Sequence, residues 1–246
     1  MAYASTKIQT GDASREFFFR PQTTDEHVIQ QVFVNQHYSL NRLRRFDELR
    51  AFAVGENAKG KRPLIVDAGA NIGASSIYFA VNGWGSRVVA IEPDRENFEL
   101  LEKNVKGLKQ IELVRAALSS RKGRALVVDP GFGHWGYRTR PAEAADSGQK
   151  TVASVTMNDI FKDHAAKFYP LIVKIDIEGG EDDLFSANTQ WVTRTPLIII
   201  ELHDWLLPKA GTSGPFLRCI AGLKRDFVHS GGNIFSMAHD LEAAGR

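Results

Sequence analysis

Residues 64–73 have the sequence Leu-Ile-Val-Asp-Ala-Gly-Ala-Asn-Ile-Gly, in which an apolar run ends in an acid and a loop with two glycines. A short run of Leu, Ile and Val bounded by turn residues is typical of a buried parallel strand. Residues 72–81 have the length and composition of a helix, which Asn82-Gly83 would close. The segment therefore predicts strand, tight loop and helix, the repeating unit of an α/β fold.

The loop of this unit suits a ligand. Its glycines let the backbone approach a bound molecule, the next helix points free N–H groups at the same place, and Asp67 stands at the carboxyl end of the strand. A dinucleotide fingerprint would need glycines where Asn71 and Ala74 stand, which weighs against a nicotinamide cofactor. We instead expect S-adenosylmethionine, with Asp67 facing its ammonium group directly or through water. A purely structural turn and a nicotinamide-dependent oxidoreductase are the alternatives.

The composition favours a soluble intracellular protein. The 246 residues are enough for one α/β domain and an N-terminal extension. A formal net charge of +2 gives no global field that would require nucleic acid or an anionic membrane as a partner. The single cysteine, Cys219, excludes an internal disulfide, and no apolar run approaches the roughly 20 residues of a membrane span. We therefore expect a cytoplasmic location.

Two segments lie outside the predicted central strands. Residues 1–60 form an N-terminal extension that we predict to be helical after a short strand at residues 17–19, and residues 61–246 form the sheet domain. Near the other end, apolar residues flank Ser-Gly-Gly at residues 230–232, which predicts a closing β-hairpin.

The second predicted strand, residues 87–91, is followed directly by Glu92. A carboxylate at that strand end has two acceptor oxygens and suits both ribose hydroxyls of a nucleoside. The third predicted strand covers residues 111–118. An acid near its end could meet an adenine amino group, but Ala116 and Ala117 stand there, so we expect backbone contacts to the base.

A glycine- and aromatic-rich loop follows the third strand. Residues 119–128 contain Lys-Gly between apolar-bearing arms and predict a hairpin, and residues 131–138 form the loop itself. Such a loop can close over an acceptor and stack rings on it, and an ordinary surface loop is the alternative. The candidate acceptor contacts are His134, Trp135, Tyr137 and Arg138, with Tyr38 near the same mouth.

Two further buried strands end in polar residues. Residues 171–175 precede Asp176, and residues 196–200 precede Glu201, with His203 two positions further on. Ligands of open parallel sheets bind outside the carboxyl ends of the strands, so these side chains should join the acids that follow the first two strands. An imidazole, with an ordinary pKa of about 6.5, suits a general base there, and a structural histidine is the alternative.

Four motifs in this order resemble those of the FkbM-type S-adenosylmethionine-dependent methyltransferases. They are Val-Asp-Ala-Gly-Ala-Asn-Ile-Gly at 66–73, Ile-Glu-Pro-Asp at 91–94, Lys-Ile-Asp-Ile-Glu-Gly-Gly-Glu at 174–181 and Ile-Glu-Leu-His at 200–203. Many methyltransferases share the first two motifs, whereas the third is much more specific. The resemblance covers about residues 60–205 and implies a Rossmann-like sheet flanked by helices, with a reversed last strand.

The resemblance also implies an activity, O-methylation of hydroxyl groups on natural products and glycans. It places the cofactor on the first two motifs and its methyl end near Asp176. The residues assigned to S-adenosylmethionine, and to S-adenosylhomocysteine as product, are Asp67, Gly69, Ala70, Asn71, Gly73, Glu92, Pro93, Ala117 and Asp176.

We expect in-line transfer of the sulfonium methyl group to a hydroxyl of a small molecule or glycan. A neutral alcohol is a poor nucleophile, so a base must take its proton while the enzyme positions the two reactants. We assign that role to His203, oriented by Asp176 or Glu201. A divalent metal held by these three residues is a less favoured alternative. A cofactor-binding module or partner subunit without turnover is another.

Overall fold

A computed structural model describes residues 3–11, 13–128, 138–143, 146 and 149–245. In these residues the strands are, in chain order, β1 (Ala4–Thr10), β2 (Ala13–Phe19), β3 (Arg62–Ala68), β4 (Arg87–Ile91), β5 (Ile111–Val114), β6 (Ala117–Leu118), β7 (Gly123–Val128), β8 (Arg138–Pro141), β9 (Thr151–Val155), β10 (Phe168–Ile175), β11 (Leu197–Glu201), β12 (Arg225–Ser230) and β13 (Asn233–Ala238).

The α-helices of the described residues flank these strands. They are α1 (Asp25–Ile29), α2 (Phe46–Ala58), α3 (Ala74–Asn82), α4 (Arg95–Asn104), α5 (Met157–His164), α6 (Glu181–Leu184), α7 (Gln190–Thr193), α8 (Gly214–Ala221) and α9 (Leu241–Ala244). A π-helical segment at Gln30–Val34 and a 3₁₀ turn at Leu40–Arg42 lie between α1 and α2.

The central sheet has seven strands in the order β12-β13-β11-β10-β3-β4-β5. Strands β5, β4, β3, β10 and β11 pair in parallel, whereas β13 runs antiparallel to both β11 and β12. The predicted α/β sheet, its reversed last strand and the hairpin around residues 230–232 are therefore confirmed.

The parallel strands are buried on both faces, as their continuous apolar sequences predict. Along β3, Ile65 packs in one hydrophobic cluster, while Leu64 and Val66 pack in a second cluster on the opposite face. The first face is covered by the N-terminal segment with α3 and α4, and the second by α5 to α8. This double covering leaves the carboxyl edge of the sheet as the place where a ligand can reach the strands.

Side-chain caps fix the starts of two helices that border this edge. Asp94 accepts the backbone N–H groups of Glu96 and Asn97 at 2.8 and 3.0 Å, so it caps α4. Thr156 caps α5 by accepting the N–H of Asp159.

A second sheet, of order β6-β9-β7-β8, corrects the predicted hairpin at residues 119–128. The chain does turn there, but β6 and β7 do not pair with each other. Strand β9 lies between them, parallel to β6 and antiparallel to β7. The strand that hydrogen-bonds to both β6 and β7 therefore lies some 30 residues further along the chain.

The N-terminal extension contains the predicted strand at residues 17–19, as part of β2, and a further strand, β1, that we did not predict. It begins with an antiparallel hairpin of β1 and β2, and helices follow only from Asp25. Its buried residues Ile8, Phe17, Val32 and Leu49 join the hydrophobic cluster on the first face of the sheet. The division near residue 60 remains a prediction. No helix in the described part of the chain is long and apolar enough to span a membrane.

Candidate active site

Four strand ends form one row at the carboxyl edge of the sheet. The register pairs Ala68 with both Ile91 and Ile175, and it pairs Ile175 with Ile200. The residues that directly follow these four are therefore neighbours. They are Gly69, Glu92, Asp176 and Glu201.

Glu92 joins the loop after β3 to the loop after β4. It is 4% exposed, and its two oxygens accept the backbone N–H of Asn71 at 2.8 Å and that of Asp94 at 2.9 Å. Burial raises the pKa of Glu92 to about 7, although both hydrogen bonds favour the charged form. The side chain of Asn97 also hydrogen-bonds to this carboxylate. A carboxylate has about four acceptor positions, so acceptor capacity remains for a ligand hydroxyl.

Gly69 lets the loop after β3 pass against the end of β10. Its φ is +75°, and a Cβ atom at this position would lie 1.7 Å from the backbone oxygen of Asp176. No side chain fits in that space, and the backbone conformation itself favours glycine. The close packing of these two loops therefore requires glycine at position 69.

A cleft runs along three of these strand ends, those of β3, β4 and β10, and Glu201 at the end of β11 does not line it. Of the residues assigned to the cofactor, those on the cleft are Gly69, Asn71, Glu92, Pro93, Ala117 and Asp176. The rest of its lining consists of Ile91, Asn97, Leu118, Thr139, Ile177 and Glu178. The side-chain oxygen of Asn71 is buried and has no hydrogen-bond partner among the described residues, so the cleft offers an acceptor that the protein does not use.

Asp67 is placed differently from our expectation. It pairs with Lys174 inside the sheet, one residue before the end of β3. Its buried carboxylate accepts the hydroxyls of Ser75 and Ser76 at 2.7 and 2.6 Å, and its other oxygen lies 3.2 Å from Lys174 Nζ. Asp67 therefore fixes the start of α3 and the lysine, and it does not line the cleft.

Ala70 and Gly73 do not line the cleft either. Ala70 is buried, and its carbonyl accepts the N–H of Gly73 at 2.8 Å. Gly73 has a φ of +93°, and a Cβ atom there would lie 2.7 Å from Cδ1 of Leu101. These two residues shape the loop and its packing against α4.

A buried cluster of ionisable groups adjoins the cleft at Asp176 and Glu178. His203 stands in its middle and is 1% exposed. Its Nδ1 lies 2.9 Å from Glu181 Oε1. Its Nε2 lies 3.5 Å from Asp176 Oδ1 and 3.4 Å from Glu178 Oε2. One imidazole is thus surrounded by three carboxylates from the end of β10 and the start of α6.

These contacts argue against His203 as a general base. Burial disfavours the charged ring, but the neighbouring carboxylates of Asp176 and Glu181 outweigh it and raise the pKa of His203 to about 11. The ring is therefore protonated at neutral pH and has no lone pair with which to take a proton. The carboxylate closest to its Nδ1 is that of Glu181, which corrects our choice of Asp176 or Glu201 as the orienting residue.

The other acids of the cluster differ in charge. Burial, reinforced by the negative charge of Asp176, raises the pKa of Glu178 to about 8 and that of Glu201 to about 7. Burial opposes ionisation of Asp176 too, but Lys174 and His203 outweigh it and lower its pKa to about 2. The site therefore combines a permanently charged carboxylate with carboxyl groups able to exchange protons near neutrality.

Lys174 is a site residue that the sequence analysis missed. It is 1% exposed, and its Nζ donates to the carbonyl oxygens of Gly69 at 2.7 Å and Ala68 at 3.3 Å. The same atom lies 3.6 Å from Asp176 Oδ2. Burial opposes its charge, but the nearby carboxylate of Asp67 prevails and raises the pKa of Lys174. A lysine inside an apolar strand was the available signal, because a buried charge needs a partner.

Glu178 and Glu181 were also missed as site residues. Both belong to the motif at 174–181, which the sequence analysis used only to recognise the family. Glu178 has a φ of +54°, an unusual conformation for a residue other than glycine. Glu181 is fully buried at the start of α6. The helix dipole alone explains an acid at a helix start, which concealed the contact of Glu181 with His203.

The predicted acceptor contacts have mixed positions. Arg138 lies beside the cleft. The next residue, Thr139, lines the cleft, and Cδ of Arg138 is 3.9 Å from the place that a Cβ atom on Gly179 would occupy. Tyr38 is wrong as a residue of the mouth, since it is 7% exposed and its ring centre lies 5.9 Å from Lys174 Nζ. His134, Trp135 and Tyr137 lie outside the described residues.

The strand order, the reversed last strand and the cleft at the carboxyl edge define a Rossmann-like fold of the methyltransferase class. A family model described as "Methyltransferase FkbM domain" matches residues 67–227, about two thirds of the chain. The chain belongs to this family, so the resemblance drawn from the four motifs is confirmed. Membership favours S-adenosylmethionine-dependent methyl transfer over nicotinamide chemistry. No curated protein matches the chain significantly.

Solved structures share the general architecture at low identity. The structure of monomeric WbdD is 10% identical, with 86% of this chain and 44% of that chain covered and a TM-score of 0.44. The O-methyltransferase from Bacillus cereus in complex with SAH is 12% identical, with 88% and 97% covered and a TM-score of 0.42. A methyltransferase from Geobacter sulfurreducens is 17% identical, with 77% of each chain covered and a TM-score of 0.37. The chain spans less than half the length of the WbdD structures, and likenesses at this level carry no argument about substrate.

Proposed function

We propose that this chain transfers a methyl group from S-adenosylmethionine to a hydroxyl oxygen of a sugar, glycan or natural product. The observation that carries the proposal is the cleft in which Glu92 and Asp176 stand at the ends of β4 and β10, on either side of β3 and its glycine loop. Family membership supports methyl transfer, and the resemblance to O-methylating relatives supports a hydroxyl acceptor.

The residues of the cleft fit the cofactor. The remaining acceptor capacity of Glu92 suits the ribose hydroxyls, and the backbone around Ala117 suits the base. The unused side-chain oxygen of Asn71 suits a donor such as the ammonium of the methionine part. Asp176 would then face the positively charged sulfur, where its carboxylate stabilises the bound ligand.

When bound, the cofactor supplies a methyl group on a positively charged sulfur. The residues of the chain must then hold the acceptor hydroxyl in line and remove its proton as the new oxygen–carbon bond forms and the sulfur–carbon bond breaks. His203 is 1% exposed and its ring nitrogens face three carboxylates, so we assign the proton to Glu201. Glu201 is partly exposed at the end of β11, whereas Asp176 and Glu178 contact His203.

Calorimetric titration tests the cofactor assignment. We expect micromolar binding of S-adenosylmethionine and S-adenosylhomocysteine, weakened at least tenfold by Glu92→Gln. The amide group of glutamine would bring an N–H donor against the N–H of Asn71 or Asp94 and would leave fewer acceptors for the ribose. The matched control is Glu102→Gln on the exposed side of α4, which should bind within twofold of the natural protein. Absence of binding by folded protein would refute the proposal.

Turnover tests the acceptor and the base. A panel of hydroxylated sugars, glycans and polyketides is incubated with labelled S-adenosylmethionine, and the labelled product is sought by mass spectrometry. With an accepted substrate, Glu201→Gln should lower kcat by about 10²–10⁴, the usual contribution of a general base, and leave the cofactor Kd unchanged. Unchanged kcat would remove Glu201 from this role. Cofactor binding without turnover on any hydroxyl would favour a module without chemistry.

A further inference from the structure

Three side chains from two loops bring metal-ligand atoms together beside the cleft. Asp176 follows β10, Glu178 lies in the loop before α6, and His203 follows β11. One carboxylate oxygen from each acid and one ring nitrogen of the histidine lie within 4.8 Å of one another. This group differs from the one we weighed from sequence, because Glu178 takes the place of Glu201.

The distances in this cluster suit a coordination shell better than hydrogen bonds. His203 Nε2 lies 3.5 Å from Asp176 Oδ1 and 3.4 Å from Glu178 Oε2. Charged N–H···O hydrogen bonds are normally about 2.7–2.9 Å long. In a tetrahedral shell with bonds of about 2.0–2.2 Å, neighbouring ligand atoms are roughly 3.3–3.6 Å apart. Both observed distances fall in the second range.

The environment of His203 is that of a metal-bound histidine. Its Nδ1 lies 2.9 Å from Glu181 Oε1, and both side chains are almost completely buried. Ligating histidines typically donate the N–H that faces away from the metal to a carboxylate, which fixes the tautomer. Here that arrangement aims Nε2 at the oxygens of Asp176 and Glu178.

Two further observations support a cation-binding role for these side chains. Asp176 Oδ1 is buried and has no hydrogen-bond partner in the part of the chain that the structure describes. The ammonium group of Lys174 lies 3.6 Å from the other oxygen of Asp176, Oδ2, and it also lies 3.2 Å from Asp67 Oδ1. Glu178 is held at a φ of +54°, and such backbone strain tends to occur at functional sites.

We propose that Asp176, Glu178 and His203 bind one divalent transition-metal ion, Mn²⁺ or Zn²⁺, with an open coordination position toward the cleft. A mixed set of one imidazole and two carboxylates suits these ions. Binding replaces the proton on Nε2. The role of the metal in the reaction rests on the proposed function. The metal would coordinate the acceptor hydroxyl and make it more acidic. Its proton passes to Glu201 while the oxygen–methyl bond forms and the sulfur leaves as a neutral thioether.

Electron paramagnetic resonance tests the site without turnover. The chelator-treated full chain is titrated with MnCl₂, and we expect one Mn²⁺ per chain, displaced by Zn²⁺, with echo modulation from a single imidazole nitrogen. Glu178→Gln should weaken Mn²⁺ binding at least tenfold. Two controls, Glu201→Gln and the exposed Asp182→Asn, should stay within threefold of the natural protein. Circular dichroism confirms that each variant is folded.

Several results would overturn the proposal. One is that folded natural protein binds neither ion, and another is that Glu178→Gln binds Mn²⁺ as the natural protein does. A third is loss of binding in Glu201→Gln with retention in Glu178→Gln. Calorimetry with S-adenosylmethionine on the chelator-treated chain separates this proposal from the proposed function. Cofactor binding without metal binding refutes the metal site alone, whereas absence of both refutes the two together.

Discussion

Replacing Lys174 by methionine removes a buried charge and keeps the length of the side chain. The ammonium lies 3.2 Å from Asp67 Oδ1 and 3.6 Å from Asp176 Oδ2, in a residue that is 1% exposed. Removing one partner of a buried ion pair costs about 3–5 kcal/mol, because the other charge is left without compensation. At about 2–4 °C per kcal/mol for a chain of this size, we expect Tm to fall by about 6–20 °C.

Urea unfolding followed by circular dichroism and tryptophan fluorescence measures the loss directly, and coincident curves justify a two-state analysis. The matched control is Lys59→Met. Lys59 also contacts a carboxylate, with Nζ 2.6 Å from Glu56 Oε1, but its side chain is 63% exposed. The control should therefore change the free energy of unfolding by less than about 1 kcal/mol.

A double variant identifies the partner of Lys174. When Asp67→Asn is combined with Lys174→Met, no uncompensated carboxylate remains at position 67. We expect the double variant to lose less stability than the sum of the single variants, by about 1–3 kcal/mol. Strict additivity, or a loss below about 1 kcal/mol in Lys174→Met alone, would show that this ion pair does not hold the site together.

Two further predictions concern the cleft. Gly69→Ala should abolish binding of S-adenosylmethionine in calorimetry, because the new Cβ atom would lie 1.7 Å from the carbonyl oxygen of Asp176. The control is Gly60→Ala, at a position with a φ of +85° and open space around it. This variant should bind S-adenosylmethionine normally and lose only about 1 kcal/mol of unfolding free energy in urea. For Glu92, the folded-state pKa of about 7 exceeds the ordinary 4.5, so its stabilising effect is complete below pH 4.5 and is lost as the pH rises through 7. The difference of about 2.5 corresponds to roughly 3 kcal/mol. The natural protein should lose that much relative to Glu92→Gln between pH 4.5 and 8, and a constant difference would contradict the buried, protonated carboxyl.

Local patterns predicted the central sheet well. Strand β4 has the predicted bounds, and β3, β10 and β11 differ from prediction by a few residues, because a short apolar run between turn residues is an unambiguous signal when both faces are buried. Strand β1 escaped prediction because its sequence is largely polar and only Ile8 is buried. The position of β9 between β6 and β7 was not predicted because sequence periodicity does not identify the strand with which another strand pairs.

The contacts within the candidate site were harder to predict from the sequence than the strands. Sequence placed Asp67 at a strand tip, but β3 continues to Ala68, and this one residue moves the acid into the sheet beside Lys174. The role of His203 depended on which carboxylates surround it. That arrangement is set by the turn after β10, where the unusual conformation of Glu178 brings its carboxylate to the ring. A motif fixes which residues are present, and the loop conformation decides which of them meet.

Lys174 links the two ends of the cleft. On one side its ammonium holds the carbonyl oxygen of Gly69 in a loop that lines the cleft, and on the other it keeps Asp176 charged at the end where we propose that methyl transfer occurs. A contact shared in this way should couple cofactor binding to chemistry. Lys174→Met should then weaken S-adenosylmethionine binding and lower kcat together, whereas Glu92→Gln should act mainly on binding and Glu201→Gln mainly on kcat. If Lys174→Met changed only one of the two constants, the loop and the reactive end would be organised independently.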